Sequence, residues 1–94
     1  MQRKKYHPNA YLELRRNVIG GLKARTKILE VIAGANARTI KEVANLAALS
    51  YSASRHHLRL LEDEHIVKRT GKKPYKWKLT GKGQKRLNQL SLKA

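Results

Sequence analysis

Ser50-Tyr51-Ser52-Ala53-Ser54-Arg55-His56-His57-Leu58-Arg59-Leu60-Leu61-Glu62-Asp63-Glu64-His65-Ile66-Val67 is the stretch that decides how this chain folds. Turning each residue by about 100° around a helix axis gathers Ser54, His57, Leu58 and Leu61 within about a third of the circumference. Ser52, His56, Arg59 and Asp63 then point the opposite way. Basic residues come early. The acids Glu62, Asp63 and Glu64 come together at the C-terminal end, where the helix dipole offers carboxylates nothing. A surface helix of mixed charge would have the same composition, since charge runs are usually solvated faces. The flanking residues separate the two readings.

Upstream, Thr39-Ile40-Lys41-Glu42 has the form of a capping box. The Thr39 hydroxyl is placed to accept from the Glu42 amide while the Glu42 side chain reaches back, so a helix should start there. Val43, Ala44 and Ala47 form its apolar side and Leu49 closes the turn. Ser50 and Ser52 each offer a hydroxyl cap for the next helix, which leaves only a few residues between the two and predicts a helix-turn-helix over 39–65. The turn carries Ala48 and Leu49 where a glycine is commonest. In such a motif the N-terminal part of the second helix meets base edges, which matches cations early and acids late.

Downstream, His65-Ile66-Val67-Lys68-Arg69-Thr70 and Tyr75-Lys76-Trp77-Lys78-Leu79 are runs of strand-forming residues. Gly71-Lys72-Lys73-Pro74 is a turn with cations at its tip. The pair predicts a β-hairpin over 66–79, a wing. Alternation places Tyr75, Trp77 and Leu79 inward and Lys76 and Lys78 outward. Trp77, the single tryptophan, reads as core.

These residues resemble a known family. Ser50 to Val67, in particular Ser54-Arg55-His56-His57-Leu58 followed by Leu61-Glu62, is similar to the recognition-helix segment of winged helix-turn-helix DNA-binding regulators of the ArsR and MarR type. Leu79-Thr80-Gly81-Lys82-Gly83 resembles the Leu-Thr-x-Lys-Gly stretch that ends the wing and opens the last helix in small archaeal winged-helix proteins. The resemblance covers about residues 22–92. It implies an α+β, mostly helical fold, a winged helix-turn-helix with a two-stranded wing and flanking N- and C-terminal helices. Two positions depart from the pattern. His65 stands where the family usually ends the helix with glycine, a mild change because histidine tolerates the left-handed conformation better than most residues. Polar Ser54 occupies a site where a buried valine is common. The chain has no cysteine, so the thiolate metal sensing of some ArsR-type repressors does not carry over.

The remaining elements are read more coarsely. Residues 1–8 form a basic arm and 9–94 the domain. Pro8 and Asn9 can start an extra helix over 9–19 through Tyr11, Leu12, Leu14, Val18 and Ile19, with Gly20-Gly21 breaking it. A second helix around Ile28, Leu29 and Ile32 ends at Gly34 and Asn36. A C-terminal helix over 80–92 carries Leu87 and Leu90. The apolar faces of the N- and C-terminal helices need cover, either by dimerisation, which is the expectation adopted, or by folding back on the domain.

Ninety-four residues can bury one modest core, and with 40% hydrophobic residues the chain should fold. Twenty-two Lys and Arg against six Asp and Glu give +16, which calls for a polyanionic partner. Nine of the cations lie between Lys68 and Arg86 with no acid among them, and Arg3, Lys4 and Lys5 add an N-terminal cluster. No apolar run approaches the roughly 20 residues of a membrane span and no signal-peptide core follows the basic start, so the expected location is cytoplasmic and nucleoid-associated. His56 and His57 diverge by about 100° on a helix and cannot chelate one ion together. No metal site, cofactor or enzymatic activity is therefore expected.

The expected partner is double-stranded DNA, bound by a homodimeric transcription regulator. Tyr51, Ser52, Arg55, His56 and Arg59 are the expected recognition-helix contacts, with Arg55 placed to pair with guanine. Lys72 and Lys73 at the wing tip suit a minor groove, and Arg69, Lys76, Lys78 and Lys82 suit phosphate. A sequence-nonspecific nucleoid protein, or an RNA-binding or protein-docking winged helix, would share the charge and the fold.

Overall fold

The computed structural model describes residues 6–33 and 37–81. Helix α1 (Ile19–Ala33) is followed by a short strand β1 (Arg38–Thr39), helix α2 (Ile40–Ala47), helix α3 (Tyr51–Asp63) and the strands β2 (Val67–Thr70) and β3 (Lys76–Leu79). The three strands form one antiparallel sheet in the order β1-β3-β2, with Arg38 opposite Trp77 and Val67 opposite Leu79. The wing hairpin is present, and β1 is a third strand that the sequence pattern did not signal.

Local chemistry explains each boundary of the helix-turn-helix. Thr39 Oγ1 accepts from the Glu42 amide at 3.2 Å and Glu42 Oε1 accepts from the Thr39 amide at 2.9 Å, so both halves of the capping box form. Ser50, rather than Ser52, caps α3 by accepting from the Ala53 amide at 3.0 Å. Both helices end in left-handed residues, Ala48 with φ 56° and His65 with φ 62°. In each case the following amide reaches back to close the end, Leu49 to Ala44 O and Ile66 to Leu61 O, both at 3.0 Å. This is a Schellman closure, and it turns Leu49 and Ile66 onto the core.

That core joins Ile28, Leu29 and Ile32 of α1 to Val43 of α2, Leu58 and Leu61 of α3, and Ile66, Val67 and Trp77 of the wing. Trp77 is 1% exposed, as its apolar area suggests. Ser54 is also fully buried, and among the described residues its hydroxyl has no hydrogen-bond partner. Among the described residues no helix is long and apolar enough to cross a membrane.

The expected extra helix over 9–19 does not form. A 3-10 turn, Pro8–Ala10, leads into an irregular strap, and α1 begins at Ile19 and runs through Gly20-Gly21 instead of starting after them. The reason is non-local. Glu64, 2% exposed, receives the amides of Glu13 and Leu14 on its two carboxylate oxygens at 2.8 Å each. Buried Arg25 donates to Ala10 O at 2.7 Å and to Asn17 Oδ1 at 3.2 Å, while Asn17 closes a loop on the backbone of Leu12. Backbone groups that a helix would satisfy internally are taken by side chains from elsewhere. Gly21 makes room for this, because a Cβ there would lie 2.7 Å from Arg25 Nη1. The C-terminal helix expected over 80–92 and the helix end expected at Gly34 and Asn36 lie outside the described residues, apart from Thr80 and Gly81.

Candidate nucleic-acid interface

Helix α3 divides by function along its length. Its inner face is pinned by Ser54, Leu58 and Leu61, all buried. That leaves Tyr51, Ser52, Arg55, His56 and Arg59 exposed. Residues four apart stack on one face, so Tyr51, Arg55 and Arg59 form a stripe on the side toward the wing. Ser52 and His56 form a neighbouring stripe.

The first stripe is one wall of a groove of about 830 Å³. Its floor and far wall come from Thr39, Ile40 and Lys41 at the start of α2 and from Arg69, Lys73, Pro74, Tyr75 and Trp77 of the wing. Five cations line it and no acid does, among the described residues. In such a concave site the fields of Lys41, Arg55, Arg59 and Lys73 add, while that of Arg69 is offset by its pair with Glu62.

The structure sorts the expected contact residues. Tyr51, Arg55, Arg59, Arg69 and Lys73 converge on the groove, whereas Ser52 and His56 lie on α3 outside its lining. Lys72 and Lys76 are exposed on the wing, Lys78 is half-buried, and Lys82 lies outside the described residues. Tyr75 was expected inward but is 37% exposed, because it precedes β3 and faces the groove. Lys41 and Tyr75 are groove residues that the sequence reading missed. Lys41 sits one residue inside α2, opposite the Val43–Ala47 side, a position that the capping box already fixed.

Arg69 is held in place. Its Nε donates to Glu62 Oε2 at 2.9 Å, and its guanidinium lies 5.1 Å from the Tyr75 ring centroid and 5.5 Å from that of Trp77. The cation–π contacts lie within the wing, and the ion pair with Glu62 ties the wing to α3. The acids at the end of α3 are each occupied. Glu62 takes Arg69, Asp63 takes Arg15 at 3.0 Å, and Glu64 takes the strap amides.

Three groups around the helix-turn-helix depart from their ordinary range, and one of them, Arg25, is lowered by burial against the opposing charge of Glu64. His57 is pushed down to about 4 by burial, with the charges of Arg25 and His56 adding to the effect. Arg25 Nη1 lies 3.2 Å from His57 Nδ1. A guanidinium can only donate, so Nδ1 accepts and the proton sits on Nε2. Glu42 is lowered by the Thr39 amide and hydroxyl it shares in the capping box. Among the described residues no group of three or more His, Cys, Asp or Glu side chains is placed to hold a metal ion.

Two solved structures have this architecture. A MarR family transcriptional regulator from Silicibacter pomeroyi DSS matches with a TM-score of 0.66 at 23% identity, over 73% of this chain and 47% of that one. The fold is a winged helix. A second MarR family transcriptional regulator, from Silicibacter pomeroyi DSS-3, matches with a TM-score of 0.61 at 18% identity, over 71% of this chain and 49% of that one. The chain thus spans about half the length of these winged-helix proteins. No family model matches it, and no curated protein matches it significantly.

Proposed function

We propose that this winged helix is a double-stranded DNA-binding transcription regulator that reads the major groove with the N-terminal half of α3 and holds the flanking backbone or minor groove with its wing. The observation that carries this reading is the acid-free groove of five cations between the exposed stripe of α3 and the wing. Phosphate is the ligand such a groove attracts, and contacts to phosphate fix register while carrying no sequence information. Sequence is left to the exposed side chains of the first turns, Arg55 and His56 foremost, with Tyr51, Ser52 and Arg59 beside them. Arg69 acts by positioning the wing. Lys72, Lys73, Lys76 and Lys78 serve the backbone.

A homodimer fits the same reading. The strap is fastened from inside, yet Tyr11, Leu14, Val18 and Ile19 are 43–70% exposed on it and at the start of α1. Exposed apolar side chains gathered in this way are what a second copy of the chain would cover. The dimer surface is then the strap, in place of the N-terminal helix expected from sequence.

Selection from a randomised duplex pool at near-physiological salt tests the reading, with salt held fixed because phosphate attraction alone can mimic affinity. The expected result is enrichment of a paired motif with half-sites about 34–36 Å apart. Enrichment of a single half-site would overturn the dimer and keep the regulator. Retention without enrichment would make the protein a charge-driven nucleoid coat, and no retention would overturn DNA binding.

A further inference from the structure

The groove holds more than a duplex backbone needs. Tyr51 on the α3 wall is 57% exposed and Tyr75 on the wing wall is 37% exposed. A duplex turned toward this groove presents base edges, phosphate and sugar, because the faces of its bases are stacked inside. Two aromatic rings among the cations then have nothing planar to meet. An unpaired strand differs, since its base faces are open and every base has a π-face that stacks on tyrosine. The Tyr75 ring is also held ready for such a contact. The Arg69 guanidinium lies over it 5.1 Å from the centroid and is itself tied to Glu62 at 2.9 Å, so the ring loses little freedom on binding.

We propose that the groove between α3 and the wing also binds single-stranded nucleic acid, seating phosphates on Arg55, Arg59, Lys41 and Lys73 and stacking unpaired bases on Tyr51 and Tyr75. The inference rests on the same groove as the duplex reading but not on its success, because stacking on Tyr75 needs an open base face that a duplex does not offer. Phosphate attraction is shared by both ligands, whereas stacking belongs to the single strand.

The test is fluorescence polarisation at one fixed salt concentration with a dye-labelled oligothymidylate, the matching oligouridylate and a duplex. Tyr75→Leu should weaken single-strand binding roughly 5- to 150-fold, the range set by one stacked base. Tyr75→Phe should keep it, and both variants should bind duplex within about twofold of the parent protein. Tyr51→Leu, at the exposed start of α3, should weaken single-strand binding by a similar factor and by clearly more than it weakens duplex binding, where Tyr51 has only base edges and phosphate to reach, and it carries the test if Tyr75→Leu fails to fold. Tighter binding of either oligomer supports the proposal and names the sugar. Duplex binding with neither single strand bound would overturn this inference and leave the duplex reading standing. Single-strand binding that survives both leucine variants, or falls in step with duplex binding, would also overturn it. Single-strand binding without duplex binding would uphold it and remove the duplex reading, and binding of neither ligand would remove both.

Discussion

The two ends of α3 do opposite things with the same kind of residue. At the N-terminal half the charged and polar side chains of Ser52, Arg55 and Arg59 are exposed. At the C-terminal end three consecutive acids each hold something: Arg69 in the wing, Arg15 in the strap, and the strap backbone itself. On the proposed reading, a helix that offers cations to a polyanion gains from having its own carboxylates occupied, because a free acid near the groove would repel phosphate. The contrast also separates stability from binding. Substitutions at the acidic end should cost folding, and substitutions at the basic end should cost affinity.

The largest expected effect is at Glu64. Glu64→Ala strips the acceptors from two backbone amides and leaves buried Arg25 without its nearest countercharge. A loss of about 2–4 kcal/mol in urea unfolding is expected. Hydrogen exchange at Glu13 and Leu14 should accelerate with it, and unchanged exchange there would mean that the strap is not held by this carboxylate.

Arg55→Ala is the converse case. Its affinity for a selected site should fall by about 1–3 kcal/mol with relaxed preference at one base position. Its stability should stay within about 0.5 kcal/mol, as for exposed positions generally. Equal loss on every DNA sequence would make Arg55 a phosphate contact. Asp63→Ala should show the reverse pattern on a smaller scale. Its pair with Arg15 is about half exposed on both sides and contributes no more than about 1 kcal/mol.

A smaller effect should set the two neighbouring glycines apart. Gly20 has open space where a Cβ would go, so Gly20→Ala should stabilise α1 by about 0.5–1 kcal/mol. Gly21→Ala puts a methyl group against the Arg25 guanidinium, which is held by its bonds to Ala10 and Asn17, and should destabilise the protein despite the same gain in helix propensity. Thermal unfolding of the pair decides this, and matching shifts would mean that Arg25 moves aside freely.

A further contrast is a pH dependence. His57 sits near 4 in the folded protein, below the ordinary 6.5, so the unfolded chain takes up its proton first. Its contribution to stability is complete above about pH 6.5 and is lost as pH falls toward 4. Denaturation at pH 7 and pH 5 should show a steeper decline in the parent protein than in His57→Gln, whereas parallel declines would show that His57 is not what the protons reach.

What could be read from sequence follows the range of the forces involved. The capping box at Thr39 and Glu42, the serine cap of α3, the left-handed His65 and the buried Trp77 all express chemistry within a few residues, and all were legible. The strap was not. Its apolar residues Tyr11, Leu12, Leu14 and Val18, with Ile19 beyond them, suggested a helix, yet of these only Leu12 is buried, and the segment is shaped by Glu64 and Arg25 across separations of 15 to 51 residues. No local pattern carries that information. β1 escaped for a related reason, since two residues are too few for any alternation to register. Within the candidate site, α3 supplied a readable stripe, but the meeting of Lys41 and Tyr75 with it depends on how the wing folds back.

The measurement that reaches the central claim most directly is an amide chemical-shift titration of the protein with duplex DNA at near-physiological salt. Shifts concentrated at Tyr51 to Arg59, Lys41 and the wing residues 69–75, with Glu13, Leu14 and Glu64 unmoved, are the expected result. Shifts centred on the strap, or a uniform response with no preference for the groove, would contradict the division of α3 into a binding end and a fastening end.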